Sequence, residues 1–221
     1  MIKNIIFDLD GTITDSYEGI VNAVKYSLDK IDFEYDEKKL VSFIGPPLKD
    51  SYMAMGFSED ESKNRIKDFR DYYFEKGMKE MKLYDGIEDV IKKLYGAGYK
   101  IFLATSKVES SAKKILTDCG LIKYFTFVAG ATMDQSRVEK PDVIAYLIEN
   151  TGIKPEESLM IGDRKHDILG AVLNNIDAVG ALYGFGSESE FEKAVFIAKK
   201  PSDIYDYVKS LSNRWCRCLV T

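Results

Sequence analysis

The chain has 221 residues, 45% of them hydrophobic and 30% charged, and carries a net charge of −5. That length admits one large domain or a core with a small accessory domain. The acidic balance and the lack of a dense Lys/Arg cluster argue against a nucleic-acid partner, and no apolar run is long enough to span a bilayer.

The first strand signal, Lys3–Leu9, is short and continuously apolar until it ends in Asp8-Leu-Asp10-Gly-Thr. Such a run suits a central parallel strand. About 80 residues without a good strand follow, far more than an ordinary connection. Within them Tyr17–Lys30, Lys38–Ile44 and Glu59–Met81 carry apolar residues at helical spacing, with Ile66, Phe69, Tyr73 and Phe74 placed to share one face. Gly45-Pro46-Pro47 breaks this stretch, either as a plain turn between helices or as a loop reaching over a site. Strands are then expected at Tyr99–Thr105, Phe125–Ala129, Ser158–Gly162, Ala178–Leu182 and Val195–Ala198. Helices are expected at Ile87–Tyr95, Ser110–Cys119, Asp142–Asn150, Asp167–Asn174 and Ile204–Ser210. Gly96, Gly98, Gly120 and Gly152 fall where those helices should end. The alternation argues for βαβ units. The expected fold is therefore α/β: a Rossmann-like three-layer α/β/α core with a parallel sheet, spanning residues 1–15 and 83–221, plus a small all-helical domain over residues 16–82.

Cys119, Cys216 and Cys218 form no disulfide framework, which fits a reducing, cytoplasmic setting. Cys216-x-Cys218 lacks the spacing of a zinc or redox pair, and Cys218-Leu-Val-Thr is a poor prenylation box. The tail Arg214–Thr221 is expected to fray. The N-terminus runs straight into a strand, the pattern expected without a signal peptide. With His166 as the one histidine, histidine-based catalysis is not expected.

Chemistry gathers at the strand ends. In an extended strand, residues i and i+2 face the same way, so Asp8 and Asp10 would project together. Two like charges side by side are costly unless a cation joins them or their pKa values part. The pair is read as a Mg2+ site, a nucleophile, or both, against the plainer reading of a strand-ending turn. The second strand ends in Thr105-Ser106-Lys107, whose hydroxyls and backbone N–H groups suit either a phosphate or an ordinary helix cap. Lys140 precedes Pro141, where a solvated lysine would be the default. The fourth strand runs into Gly162-Asp163 and Asp167, two carboxylates one helical turn apart.

Taken in order, Asp8-x-Asp10-Gly-Thr, a strand ending in Thr105, Lys140 and Gly162-Asp163-x-x-x-Asp167 resemble the four motifs of the haloacid-dehalogenase-like hydrolase superfamily. The helical insertion resembles the small cap of its subfamily I. The stretches Phe43–Leu48 and Gly162–Ala171 look like its phosphoglycolate-phosphatase and 5′-nucleotidase group. The resemblance implies a phosphatase in which Asp8 attacks phosphorus and forms an aspartyl-phosphate. It makes Asp10 the acid and base, and has Thr105, Ser106 and Lys140 hold the phosphoryl group. It also implies Mg2+ on Asp8, the Asp10 carbonyl and Asp163, with Asp167 beside them orienting a water or Lys140. Substrate choice is assigned to the cap and a neighbouring loop, through Gly45, Pro46, Pro47, Lys49 and Arg137. The implied partner is a small phosphorylated metabolite, led by phosphoglycolate and nucleoside monophosphates. A phosphosugar mutase and a pyrophosphatase are rivals sharing the core residues. A silent binding protein on this fold is a third, disfavoured because every catalytic position is filled.

Overall fold

The computed structural model describes residues 1–218, with side chains through Ser212. β1 (Asn4–Phe7) is buried along its whole length. Two short strands, β2 (Thr14–Asp15) and β3 (Lys82–Leu83), pair with each other. β4 (Lys100–Val108), β5 (Phe125–Ala131), β6 (Ser158–Gly162), β7 (Asp177–Ala181) and β8 (Phe196–Ala198) join β1 in one sheet. Its order is β5-β4-β1-β6-β7-β8, and every neighbouring pair is parallel. The chain moves outward from β1 to β4 and β5, then crosses back to β6 on the other side of β1. Such a reversal leaves a crevice beyond the carboxyl ends of the strands, the usual ligand position in open α/β sheets.

Two compact units divide the chain, Met1–Ile13 with Leu83–Thr221, and Thr14–Lys82. The second unit is helical, with α1 (Tyr17–Asp29), α2 (Leu48–Ala54) and α3 (Glu59–Glu75). Ile20, Val21, Val24 and Leu28 form the buried stripe of α1, and Ile66, Phe69 and Tyr73 that of α3. Phe74 was expected on the same stripe and is exposed instead; eight residues on from Ile66, it stands roughly 80° round the helix. The rigid break at Gly45-Pro46-Pro47 leads directly into α2, which is too short to show a period in sequence. The predicted helix Glu59–Met81 stops at Glu75, and a single tight turn over Gly77–Lys79 replaces its last part.

In the core unit, α4 (Ile87–Gly96), α5 (Glu109–Asp118), α6 (Lys140–Thr151), α7 (Lys165–Leu173) and α8 (Pro201–Cys218) complete the layers. On one face of the sheet, Val143, Ile144 and Leu147 of α6 and Ile168 and Ala171 of α7 pack with Ile6, Phe102, Met160 and Ala178. Interlocked side chains from α6 and α7 thus fix where the first turns of both helices stand relative to β1. α8 runs to Cys218 rather than stopping at Ser210, because no Gly or Pro interrupts it. The frayed tail is corrected to that extent. The prenylation box ends in residues 219–221, and the Cys216 and Cys218 side chains also lie outside the described part. Among the described residues no helix is long and apolar enough to cross a membrane.

Leu147 is fully buried in this cluster. Leu147→Ala should cost about 2–5 kcal/mol in urea unfolding through lost burial and the cavity left behind.

Candidate active site

The registers Phe7↔Leu103 and Phe7↔Ile161 bring the end of β1 level with β4 and β6. Asp8 follows Phe7 directly, and Thr105 and Asp163 lie two residues beyond the paired positions, so one crevice receives all three. β1 ends at Phe7, two residues earlier than its apolar run predicts. Asp8 N still donates to Ile161 O of β6 at 2.9 Å, and the chain turns just after it, from Leu9 onward. In that turn Thr12 and Ile13 donate back to Leu9 O, and Gly11 adopts φ +87°. Each of the two carboxylates has its own cation.

Lys140 is that cation for Asp8. Contrary to the solvated default, its side chain is 2% exposed, and Nζ lies 2.8 Å from Asp8 Oδ1 and 2.7 Å from Asp167 Oδ1. It also donates to Ala104 O at 3.0 Å. Burial would lower the Lys140 pKa, but Asp167 and Asp8 outweigh it and hold the ammonium above its ordinary range. Burial pushes Asp8 up to about 6 against the pull of Lys140, with Asp167 adding to the rise. Burial, then Asp167 and Asp8, drives Asp163 well above the usual carboxylate range.

Asp10 pairs instead with Lys107, whose Nζ lies 2.7 Å from Asp10 Oδ2, with side chains 8% and 10% exposed. Asp10 Oδ1 is buried and has no hydrogen-bond partner. Sequence reasoning quoted Lys107 without giving it a role; a lysine two residues past a strand-end Thr was the available signal. Thr105 is buried, and its Oγ1 accepts from Lys107 N at 3.3 Å.

Asp163 sits in a cradle of backbone. Phe185 N donates to its Oδ2 at 2.8 Å, and Thr12 Oγ1 lies 3.4 Å from its Oδ1. A Cβ on Gly11 would fall 2.1 Å from the Asp163 carboxylate, and one on Gly184 2.2 Å from Gly11 O. The Tyr183–Gly186 segment also went unremarked in sequence. Its glycines just after a strand end were the readable hint.

One oxygen each from Asp8, Asp163 and Asp167 lies within 4.8 Å of the others. Three buried carboxylates thus converge beside the single Lys140 ammonium. An all-oxygen set of this kind, with an unpartnered carboxylate oxygen on Asp10 nearby, fits a hard divalent cation such as Mg2+. Arg137 is spent locally: it bonds Gly130 O and Glu109 and stacks 3.5 Å from the Tyr146 ring centroid. Lys49 pairs with Glu59 inside the helical unit, which also holds Gly45 and Pro46.

A sequence model described as haloacid dehalogenase-like hydrolase matches residues 5–181. The chain belongs to that family. This hydrolase is 38% identical over 189 residues to a protein named 5′-nucleotidase from Pseudomonas aeruginosa, covering 85% of this chain and 86% of that one. It is also 38% identical over 190 residues to the tyrosine-protein kinase PtkA of Mycobacterium tuberculosis, covering 86% of this chain and 65% of PtkA. A solved structure described as a predicted phosphatase from Clostridium acetobutylicum superposes with a TM-score of 0.92 at 40% identity, over 95% of this chain and 99% of that one.

Lys140→Met leaves Asp8 and Asp167 buried without their cation, and should destabilise the hydrolase by roughly 3–5 kcal/mol at pH 7.5. A carboxyl whose folded pKa is raised stabilises below its unfolded pKa and loses that contribution as pH rises through the folded value. The loss in this variant should therefore be smaller at pH 5.5, read as the difference in thermal midpoint from wild type at each pH.

Proposed function

We propose that this hydrolase is a Mg2+-dependent phosphomonoesterase acting on a small phosphorylated metabolite through an aspartyl-phosphate on Asp8. The observation that carries the proposal is the Asp8 carboxylate fixed by Lys140 at the sheet's crevice, within a cluster of three buried carboxylates. Lys140 orients one Asp8 oxygen and leaves the other to attack phosphorus. In this reading Thr105 and the backbone at Ser106 receive phosphoryl oxygens. Asp10 gives a proton to the leaving alcohol, then takes one from the water that opens the intermediate. Asp8, Asp163 and the Asp10 carbonyl would hold Mg2+, with Asp167 beside them; the metal supplies charge neutralisation for the transferring phosphoryl group. Asp167 keeps Lys140 in line. The relative named 5′-nucleotidase puts nucleoside 5′-monophosphates first among substrates, with phosphoglycolate next.

Phosphate release from a panel of small phosphoesters should require Mg2+ and vanish in Asp8→Asn. Activity surviving that substitution would overturn the mechanism, and isomerised sugar phosphate without free phosphate would favour a mutase. In the metal-free protein Asp8 titrates at about 6, so below that pH a cation must displace a proton. Mg2+ should therefore raise the thermal midpoint more at pH 7.5 than at pH 5, as differential scanning fluorimetry can show.

A further inference from the structure

We infer that Lys107 is a positioning residue for Asp10, holding one carboxylate oxygen so that the other is presented for proton transfer to the leaving group. The inference rests on the phosphatase reading above and adds to it a residue that reading does not use.

Geometry supplies the argument. A lysine at the end of a strand ordinarily carries its ammonium out to water. Lys107 is turned inward instead, to a contact of 2.7 Å with Asp10 Oδ2, and the two side chains are 8% and 10% exposed. Burying such a pair is a poor source of stability, since desolvation offsets the attraction. The fold nevertheless goes out of its way to build it. β4 slips its register against β5 between Ala104 and Val108. The slip is accommodated by Gly130, where a Cβ would lie 2.7 Å from Lys107 O and 2.6 Å from Glu109 Cα. Lys107 N also donates to Thr105 Oγ1, tying the bend to a residue placed for phosphate.

The result is a division of labour between two lysines. Lys140 takes Asp8 and Asp167, and Lys107 takes Asp10. With Lys107, Oδ2 is fixed and Oδ1 is left buried and without a hydrogen-bond partner.

In the first step the bond from Asp8 to phosphorus forms, the bond to the leaving oxygen breaks, and the proton on Asp10 Oδ1 moves to that oxygen. The carboxylate so formed faces the Lys107 ammonium. In the second step water attacks phosphorus, the phosphorus–Asp8 bond breaks, and a water proton returns to Asp10 Oδ1. Lys107 keeps its protons throughout.

General acid assistance matters most for poor leaving groups. The test compares kcat/KM for glycerol phosphate, an alkyl ester, with that for p-nitrophenyl phosphate, whose leaving group needs little help. Asp10→Asn should lose far more on the alkyl ester. Lys107→Met should show the same bias, losing at least about ten-fold more on the alkyl ester than on the aryl ester. Combined with Asp10→Asn, it should add less than roughly three-fold, because the two residues act as a unit. Lys107→Arg keeps a cation but not its geometry. It provides a folded comparison with a smaller bias of the same sign, and thermal melting verifies the fold of each variant. An equal loss on both esters in Lys107→Met and Lys107→Arg would refute the positioning role, as would an undiminished Lys107→Met effect in the Asp10→Asn background. Absence of bias in Asp10→Asn itself would instead remove the acid role of Asp10, and that of Lys107 with it.

Discussion

One ammonium group ties four elements of the core together. Lys140 stands at the start of α6 and reaches Asp8 after β1, Ala104 O in β4 and Asp167 in the first turn of α7. In a low-dielectric interior such contacts are strong and also unforgiving, since any unpaired member is a buried charge. The packing of α6 and α7 on the sheet and the charge arrangement of the site are therefore one assembly. Small residues make room for it: a Cβ on Gly170 would lie 2.8 Å from Lys140 Cγ, and one on Gly162 2.2 Å from the Asp167 side chain.

Around this contact the site is closed by backbone more than by side chains. The Gly11 turn and the Tyr183–Gly186 segment approach Asp163 too closely for any β-carbon, and Tyr183 donates to Thr12 O to join them. Amide dipoles held in place this way need no rearrangement when charge develops on a substrate, the condition under which electrostatic stabilisation is most effective.

Much of this was legible in the chain. The alternation of apolar runs and helical periods located all six strands of the main sheet, because a strand buried on both faces leaves a continuous signature. Asp8, Lys140, Asp163 and Asp167 stood out because each follows a strand end or opens a helix, and Thr105 because it closes the apolar run of β4. The errors have local physical causes. α2 is only seven residues long, too short for a period. The pairing of Asp8 with Lys140 and of Asp10 with Lys107 depends on two lysines distant in sequence, which no local pattern reports. Lys107 was hidden because its burial follows from a register slip in β4 and a glycine in β5, a contact between segments rather than a property of either. Arg137 looked available as a lone basic residue in a loop, yet Tyr146, Glu109 and Gly130 occupy it.

The sheet also has a seam. Tyr84 N donates to Ile13 O at 3.1 Å beside the β2–β3 pair, so the backbone departs from the core and rejoins it at one hydrogen-bonded junction. Everything from residue 14 to residue 82 is strung between two points already held together, so closing that excursion adds little entropy cost, whatever its length. The core thus behaves as a socket. The attachment point lies three residues from Asp10. The covalent order of the chain thus sets the whole helical unit between Ile13 and Leu83, apart from the residues that carry the core's charged cluster.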